Sequence, residues 1–235
     1  MNLKNKTAIV TGGTSGIGLA AAIALKENEA NVIITGRNPE RLKLNCDKYG
    51  FEGYQFDVSD EKEVLSFYEK IAGKHPQIDI LINNAAYGYF EKLPQVDTGK
   101  FSAMMQANVT GAMLMAREAS KIFINQKSGN IINIASTAAT RGFEGGTAYV
   151  ASKFALRGMT ECWRAELRRY NIRVMLINPS EVQTEFFVNS GSAKKEHNPT
   201  KLIAGDIAHA IIAALKMEDR GFITELTVFA TNPNS

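Results

Sequence analysis

Thr7-Ala-Ile-Val-Thr-Gly-Gly-Thr-Ser-Gly-Ile-Gly-Leu-Ala-Ala-Ala-Ile-Ala-Leu25 carries a strand, a glycine turn and a helix in direct succession. The apolar run predicts a strand over 7–11, and the Ala/Leu-rich stretch after the glycines predicts a helix over 17–28. Gly12, Gly16 and Gly18 keep the spacing T-G-x-x-x-G-x-G, wider than G-x-G-x-x-G, with Thr14, Ser15 and Ile17 filling the turn. A helix start offers free N–H groups and partial positive charge, and glycines let the backbone close on a pyrophosphate without Cβ clashes. Taken alone, the same residues also suit a tight structural turn.

Working outward, short apolar runs alternate with stretches of helical period, the pattern of a parallel sheet covered by helices on both faces. Strands are predicted over 7–11, 32–35, 53–56, 80–83, 130–135, 173–177 and 227–229. Helices are predicted over 17–28, 39–49, 60–74, 100–126, 148–170 and 206–217. Pro39 at a helix start and Gly50 just past a helix end suit those positions. No linker, repeat or low-complexity tract divides the chain. The least regular stretch, 186–199, is expected to be a surface loop over the site.

The second strand runs into Thr35-Gly36-Arg37. In dinucleotide-binding sheets an acid near this point takes the ribose 2′-hydroxyl of NAD, whereas an arginine accommodates the 2′-phosphate of NADP. Gly36 stands where an acid is expected and Arg37 follows, which favours NADPH over NADH; the plainer reading is an arginine capping the strand end in solvent.

Tyr149-Val-Ala-Ser-Lys153 puts tyrosine and lysine at i and i+4, on one helix face. A phenol is a poor acid or base at neutral pH, and a neighbouring ammonium favours phenolate, so Lys153 is expected to lower the Tyr149 pKa. By itself this spacing is common on surface helices. Ser136 stands at the end of the fifth strand, where ligand crevices of open α/β sheets form and where a hydroxyl can support charge on a carbonyl oxygen. It also suits a turn or N-cap.

Over essentially its whole length the chain resembles the short-chain dehydrogenase/reductase family. The resemblance rests on Thr11-Gly-x-x-x-Gly-x-Gly18, Asp57-Val58, Asn83-Asn84-Ala85-Ala86, Asn108, Ser136, Tyr149-x-x-x-Lys153 and the segment from Pro179 through Thr184. It implies a single-domain α/β Rossmann fold over residues 1–235, with a doubly wound parallel seven-stranded sheet. It further implies that Tyr149 is the general acid/base, that Ser136 orients the carbonyl, that Lys153 contacts the nicotinamide ribose, and that Asn108 holds a water leading from Lys153 to solvent. A helix-interior asparagine bonding its own backbone is the plainer reading of Asn108. The same resemblance puts Asp57 and Val58 at the adenine, Asn83 and Ala85 along the adenosine, and Pro179, Val182 and Thr184 at the nicotinamide. Ala86 and Ser180 replace glycines usual in the family, which adds a side chain near each site.

The expected reaction is reduction of a ketone, aldehyde or 3-oxoacyl group with NADPH. A 3-oxoacyl-carrier-protein reductase is the alternative, with Arg168 and Arg169 as candidates for an acidic partner, or simply as solvated arginines. A non-catalytic NADPH-sensing regulator predicts a damaged catalytic set, against which the joint presence of Asn108, Ser136, Tyr149 and Lys153 argues. Tyr87, Phe90, Phe143, Phe186 and Phe187 suit either an apolar substrate arm or ordinary packing. The resemblance implies a homotetramer or homodimer that pairs the two long helices of adjacent subunits; helices 100–126 and 148–170 are long and apolar enough on one face to allow that, and such stripes equally suit internal core.

Composition narrows the field further. With 45% apolar and 22% charged residues and a net charge of +3, the chain suits a globular protein without a nucleic-acid partner. Arg168-Arg169 and Lys194-Lys195 are not interleaved with stacking aromatics. Cys46 and Cys162 are read as plain buried thiols, and His75, His197 and His209 lack metal-ligand spacing, so no metal is expected. Lys4 and Lys6 lead straight from Met1 into the first strand, and no apolar run approaches the roughly 20 residues of a membrane span. A cytoplasmic protein without a membrane partner is expected.

Overall fold

The computed structural model describes residues 1–186, 190, 196 and 198–232. Seven parallel strands form one sheet in the order β3-β2-β1-β4-β5-β6-β9. They are β1 (Thr7–Val10), β2 (Asn31–Gly36), β3 (Glu52–Gln55), β4 (Ile80–Asn83), β5 (Gly129–Ile134), β6 (Ile172–Pro179) and β9 (Glu225–Val228). Between β6 and β9, β7 (Val182–Gln183) pairs in parallel with β8 (Leu202–Ile203) as a separate ribbon. The helices are α1 (Gly16–Glu27), α2 (Pro39–Tyr49), α3 (Glu61–Ala72), α4 (Thr98–Met105), α5 (Ala112–Gln126), α6 (Thr147–Leu167) and α7 (Ala204–Lys216).

Alternation along the strands divides the core in two. Ala8, Val10, Ile80, Ile82, Ile132 and Ile134 face one side, where Ala21 and Leu25 of α1 and Ile207 and Ile211 of α7 cover them. Ile9, Leu81, Ile131 and Val174 face the other, against Val64 and Phe67 of α3 and Met115 and Phe123 of α5. Both faces are covered, which is why the strands read as continuous apolar runs. This is the expected doubly wound α/β architecture.

Local chemistry sets the boundaries. Asn38 caps α2 by accepting from the Arg41 N–H at 2.8 Å, with Pro39 in the first turn and Gly50 left-handed at φ 66° beyond its end. Asp60 caps α3 through the Lys62 and Glu63 N–H groups. Thr11, expected inside β1, lies past it: its Oγ1 accepts from Asn84 N and Ala85 N, both at 3.0 Å, tying the first turn to the loop after β4.

Three larger differences stand out. The helix expected over 100–126 is α4, a π-helical segment Gln106–Gly111 and α5 in succession, and it begins earlier, because Asp97 caps the Lys100 N–H at 2.7 Å. The helix expected over 148–170 gives way to a 3-10 turn, Arg168–Tyr170, closed by Asn171 at φ 59°. The last strand lies at Glu225–Val228 rather than 227–229, and β6 extends to Pro179 to pair with it.

Of the loop expected over 186–199, Phe187–Asn189, 191–195 and His197 lie outside the described residues, Lys194 and Lys195 included. The β7–β8 ribbon brackets this stretch. Gln183 on β7 clamps Asn198, donating to its carbonyl at 2.7 Å and accepting from its N–H at 2.6 Å. Cys162 is exposed and Cys46 only half-buried, so neither is the fully buried thiol expected. No helix among the described residues is long and apolar enough to cross a membrane.

Candidate active site

Strand order reverses between β1 and β4, and at the carboxyl ends of the sheet lies a crevice of about 1420 Å³. Gly12, Thr14, Ser15, Gly16 and Ile17 form one wall. Gly12 and Gly16 are left-handed at φ 61° and 53°. A Cβ on Gly12 would stand 3.0 Å from the Ala85 Cα, which only a glycine accommodates without displacement. Ser15 occupies the N-cap of α1 without a side-chain cap bond, and the first turn carries no acidic residue. An uncapped helix start facing a crevice suits an anion. Gly18 does not line the crevice. A Cβ there would meet Asn84 Nδ2 and the Gly12 carbonyl, both at 2.4 Å, so this glycine lets α1 sit close against the turn.

At one end of the crevice Arg37 approaches Asp57, Nη1 to Oδ2, at 3.5 Å. Burial pushes the Asp57 carboxyl up, but bonds from the Ser59 N–H and hydroxyl and the Arg37 charge outweigh it and leave the pKa lowered. Val58 and Ala85 also line the crevice. Tyr87 senses the Arg37 and Asp57 charges, although burial dominates and raises its pKa. It lines the crevice together with Phe90, Phe143 and Phe186.

Asn83 corrects another expectation. Its side chain is buried and turned away from the crevice, donating to the Ala112 carbonyl at 3.1 Å and to Asn133 Oδ1 at 3.0 Å. Side chains alternate along a strand, so Asn83 at the end of β4 points into the layer shared with α5. Asn84 and Ala85, one step further, form the wall.

Ser136, Tyr149 and Lys153 meet at the other end; Pro179, Val182 and Thr184 line the same crevice, Thr184 lying over Gly16, where an added Cβ would stand 3.6 Å from its Cβ. Ser136 Oγ accepts from the Ala138 N–H at 3.1 Å, the N-cap role the sequence allowed, and its hydroxyl stands close enough to the Tyr149 phenol to favour the phenolate. Lys153 is buried, donates to the Ile134 carbonyl at 3.0 Å and holds Nζ 5.6 Å from the Tyr149 ring centroid. The expected lowering of the tyrosine pKa is absent. Burial pushes Tyr149 up to about 12, opposed only by the Ser136 hydrogen bond, and brings Lys153 down to about 8. Desolvation penalises the charged form of each group, and at this separation the ammonium does not offset it.

Asn108 sits in the π-helical segment and is buried. Its Oδ1 accepts from the Tyr87 N–H at 3.0 Å, and its Nδ2 donates to the Tyr87 carbonyl at 3.0 Å and Ser152 Oγ at 3.2 Å. Its side chain therefore does not bond its own backbone. Its side chain is used up in holding the loop after β4 against α6.

A family model for the short chain dehydrogenases matches residues 6–195, which take in the glycine turn, Asn108, Ser136, Tyr149 and Lys153. The chain belongs to the short chain dehydrogenase family. An uncharacterized oxidoreductase of Staphylococcus saprophyticus is 33% identical over 235 residues, covering 97% of this chain and 98% of the relative. Among solved structures, the closed form of a serine dehydrogenase complexed with NADP+ superposes with a TM-score of 0.90 at 28% identity, covering 94% of each chain. A metagenomic short-chain oxidoreductase in complex with NADP gives 0.86 at 28% identity over 99% of this chain and 100% of that one.

This short chain dehydrogenase gathers aromatic rings beside the phenol and brings further residues to the crevice. The Phe90 ring lies 5.3 Å from that of Tyr149, the Phe186 ring 5.6 Å from that of Tyr149, and the Phe143 ring 6.1 Å from that of Phe90, each pair tilted. These three were anticipated as a group; Phe187 lies outside the described residues. Arg141, Glu181, Glu185, Lys201 and Phe229 were not anticipated. Only their position in loops after strand ends signalled them, and that position does not distinguish a lining residue from a solvated one. Arg168 and Arg169 do not line the crevice, and Arg169 stacks on Tyr170 with its guanidinium carbon 5.2 Å from the ring centroid.

Proposed function

We infer that the chain is an NADPH-dependent oxidoreductase that reduces a carbonyl to an alcohol, with Tyr149 as the general acid. The observation that carries this reading is one crevice with an anion-binding helix start and Arg37 at one part and the Ser136–Tyr149–Lys153 cluster at another. NADP in the two related structures supports the choice of cofactor.

The uncapped start of α1 and the Gly12–Gly16 turn would hold the pyrophosphate, and Arg37 the 2′-phosphate. Val58 and Ala85 would border the adenosine, Pro179, Val182 and Thr184 the nicotinamide, and Lys153 its ribose. When bound, the reduced nicotinamide supplies hydride to the carbonyl carbon. With its pKa near 12, Tyr149 carries its proton throughout the neutral range and delivers it to the carbonyl oxygen as hydride arrives. Ser136 donates to the same oxygen and supports its developing charge. Lys153, near 8, is mostly cationic at neutral pH and places that charge behind the phenol. One proton leaves Tyr149 in each turnover and is replaced from solvent.

Three phenylalanines around Tyr149 favour a carbonyl with an apolar flank. A 3-oxoacyl thioester fits the same chemistry as the alternative substrate. A cofactor sensor without turnover is opposed by the assembled Ser136, Tyr149 and Lys153. We further propose that α5 and α6 pair with those of a second copy in a homodimer or homotetramer, which a mass measurement in solution tests.

The decisive experiment follows NADPH absorbance with a panel of activated ketones and acetoacetyl thioesters, using the protein and Tyr149→Phe. Turnover is expected to fall by about 10³-fold or more in the variant while NADPH still binds. Undiminished turnover overturns the role of Tyr149, and no turnover with any carbonyl revives the sensor.

A further inference from the structure

Among the described residues, every cation that lines the crevice is committed to a partner except one. Arg37 pairs with Asp57 at 3.5 Å, Lys201 with Glu181 at 3.2 Å, and Lys153 gives its hydrogen bond to the Ile134 carbonyl at 3.0 Å. Arg141 lines the crevice and has neither a hydrogen bond nor an ion pair among the described residues. It is exposed, in the loop that leads from Ser136 to the start of α6.

The loop around Arg141 is tied down. The Glu91 N–H donates to the Gly145 carbonyl at 2.9 Å, Lys92 pairs with Glu144 at 2.9 Å, and the Phe143 ring lies 6.1 Å from that of Phe90. Phe90 in turn lies 5.3 Å from Tyr149. The guanidinium is therefore carried by an anchored segment on the proton-donor side of the crevice, whereas Arg37 serves the other. A guanidinium stays charged at any working pH, has no acceptor, and matches a carboxylate with two parallel N–H bonds.

From this we propose that Arg141 is the specificity-determining residue for an anionic group on the substrate, and that the substrate class is small oxo acids and their hydroxy-acid products. The carboxylate binds Arg141, the carbonyl faces Tyr149 and Ser136, and the phenylalanines take the carbon chain between. The inference rests on the oxidoreductase reading above for its chemistry, but not for its binding.

Matched pairs isolate the charge: acetoacetate and levulinate against their methyl esters, each with NADPH. The protein is expected to favour acid over ester in kcat/KM, and Arg141→Ala to reduce that ratio about 10- to 100-fold through the KM of the acid, in line with a charge-assisted hydrogen bond. Arg141→Lys should fall between, and the preference should weaken with salt. A loss shared equally by acid and ester marks a structural role and overturns the inference. So does Arg141-dependent preference for acetoacetyl coenzyme A over the oxo acids, which assigns the guanidinium to a phosphate-bearing thioester.

Calorimetry of 3-hydroxybutyrate on the NADP+-loaded protein separates the two proposals. Binding that weakens in Arg141→Ala, without turnover of any carbonyl, keeps the anion site and removes the reductase. Reduction of neutral ketones, with an acid-to-ester ratio indifferent to Arg141, removes the anion site alone.

Discussion

Lys153 directs its hydrogen bond to the Ile134 carbonyl at 3.0 Å and keeps its Nζ 5.6 Å from the centroid of the Tyr149 ring. Burial dominates both groups, so the phenol stays protonated to about 12 and the ammonium loses its proton near 8. Carbonyl reduction draws on the proton of Tyr149 and is helped by the charge of Lys153, so the lysine sets the alkaline limit. The pH profile of kcat/KM for a neutral ketone with NADPH should be level near neutrality and decline through about pH 8. A profile level to pH 10 would remove Lys153 from the mechanism.

The same burial carries a stability cost. In the unfolded chain Lys153 titrates near its ordinary value of about 10.4. Because the folded pKa is lowered to about 8, the unfolded chain binds the extra proton between these values, and stability rises with pH across that window. Below about pH 8 the cost is present in full. Lys153→Met should therefore stabilise the protein near pH 7 by ~1–3 kcal/mol, reduced from the full desolvation cost by the lost bond to Ile134, while losing activity. Urea denaturation at pH 7 and pH 10 checks both terms, since the gain should shrink at the higher pH. Destabilisation at pH 7 would contradict the account.

Cofactor choice depends on the end of β2. Arg37→Ala should reduce the preference for NADPH over NADH by about 10- to 100-fold, as for loss of a charge-assisted contact. The complementary change is constrained by packing: a Cβ on Gly36 would stand 2.7 Å from Thr14 Cγ2. Gly36→Asp alone should weaken both cofactors by displacing the phosphate turn. Adding Thr14→Ser, which removes that methyl, should recover NADH binding. Paired KM measurements for the two cofactors test this, and full NADH activity in Gly36→Asp alone would show that the turn yields freely.

Much of this arrangement was legible from the sequence, and the limits have physical reasons. Strands buried on both faces leave unbroken apolar runs, so all seven were located to within two residues at either end, and the T-G-x-x-x-G-x-G turn marked the crevice wall. The π-helical segment was hidden because Gln106–Gly111 keeps the apolar spacing of an ordinary helix. The β7–β8 ribbon is two residues per strand, too short for any period. At the site, the directions of side chains were not legible. Asn83 turns into the core and Lys153 bonds a main-chain carbonyl, each decided by neighbours far away in sequence. Arg141 gave no signal because its neighbours in sequence resemble any polar turn.

Asn108 offers the sharpest test of how the site is supported. Its amide satisfies both main-chain groups of Tyr87 and donates to Ser152 Oγ, which itself donates to the Tyr149 carbonyl at 2.8 Å. Asn108 thereby ties the loop after β4 to the helical turn that bears the phenol. Asn108→Ala leaves a part-buried N–H and carbonyl without partners and should cost ~2–4 kcal/mol, two groups at the usual penalty. Asn108→Asp is more discriminating. A carboxylate still accepts from the Tyr87 N–H but sets an oxygen against the Tyr87 carbonyl, where Nδ2 donates at 3.0 Å in the native protein. Once protonated, that oxygen donates again. Burial and the facing carbonyl raise the folded pKa of the new acid above its unfolded value, so its deficit is largest near neutrality and shrinks as pH falls. The difference in Tm between Asn108→Asp and the native protein should therefore narrow on acidification, with partial return of NADPH-dependent turnover relative to native at the same pH. A constant difference would mean that the loop finds other partners and that Asn108 does not hold it.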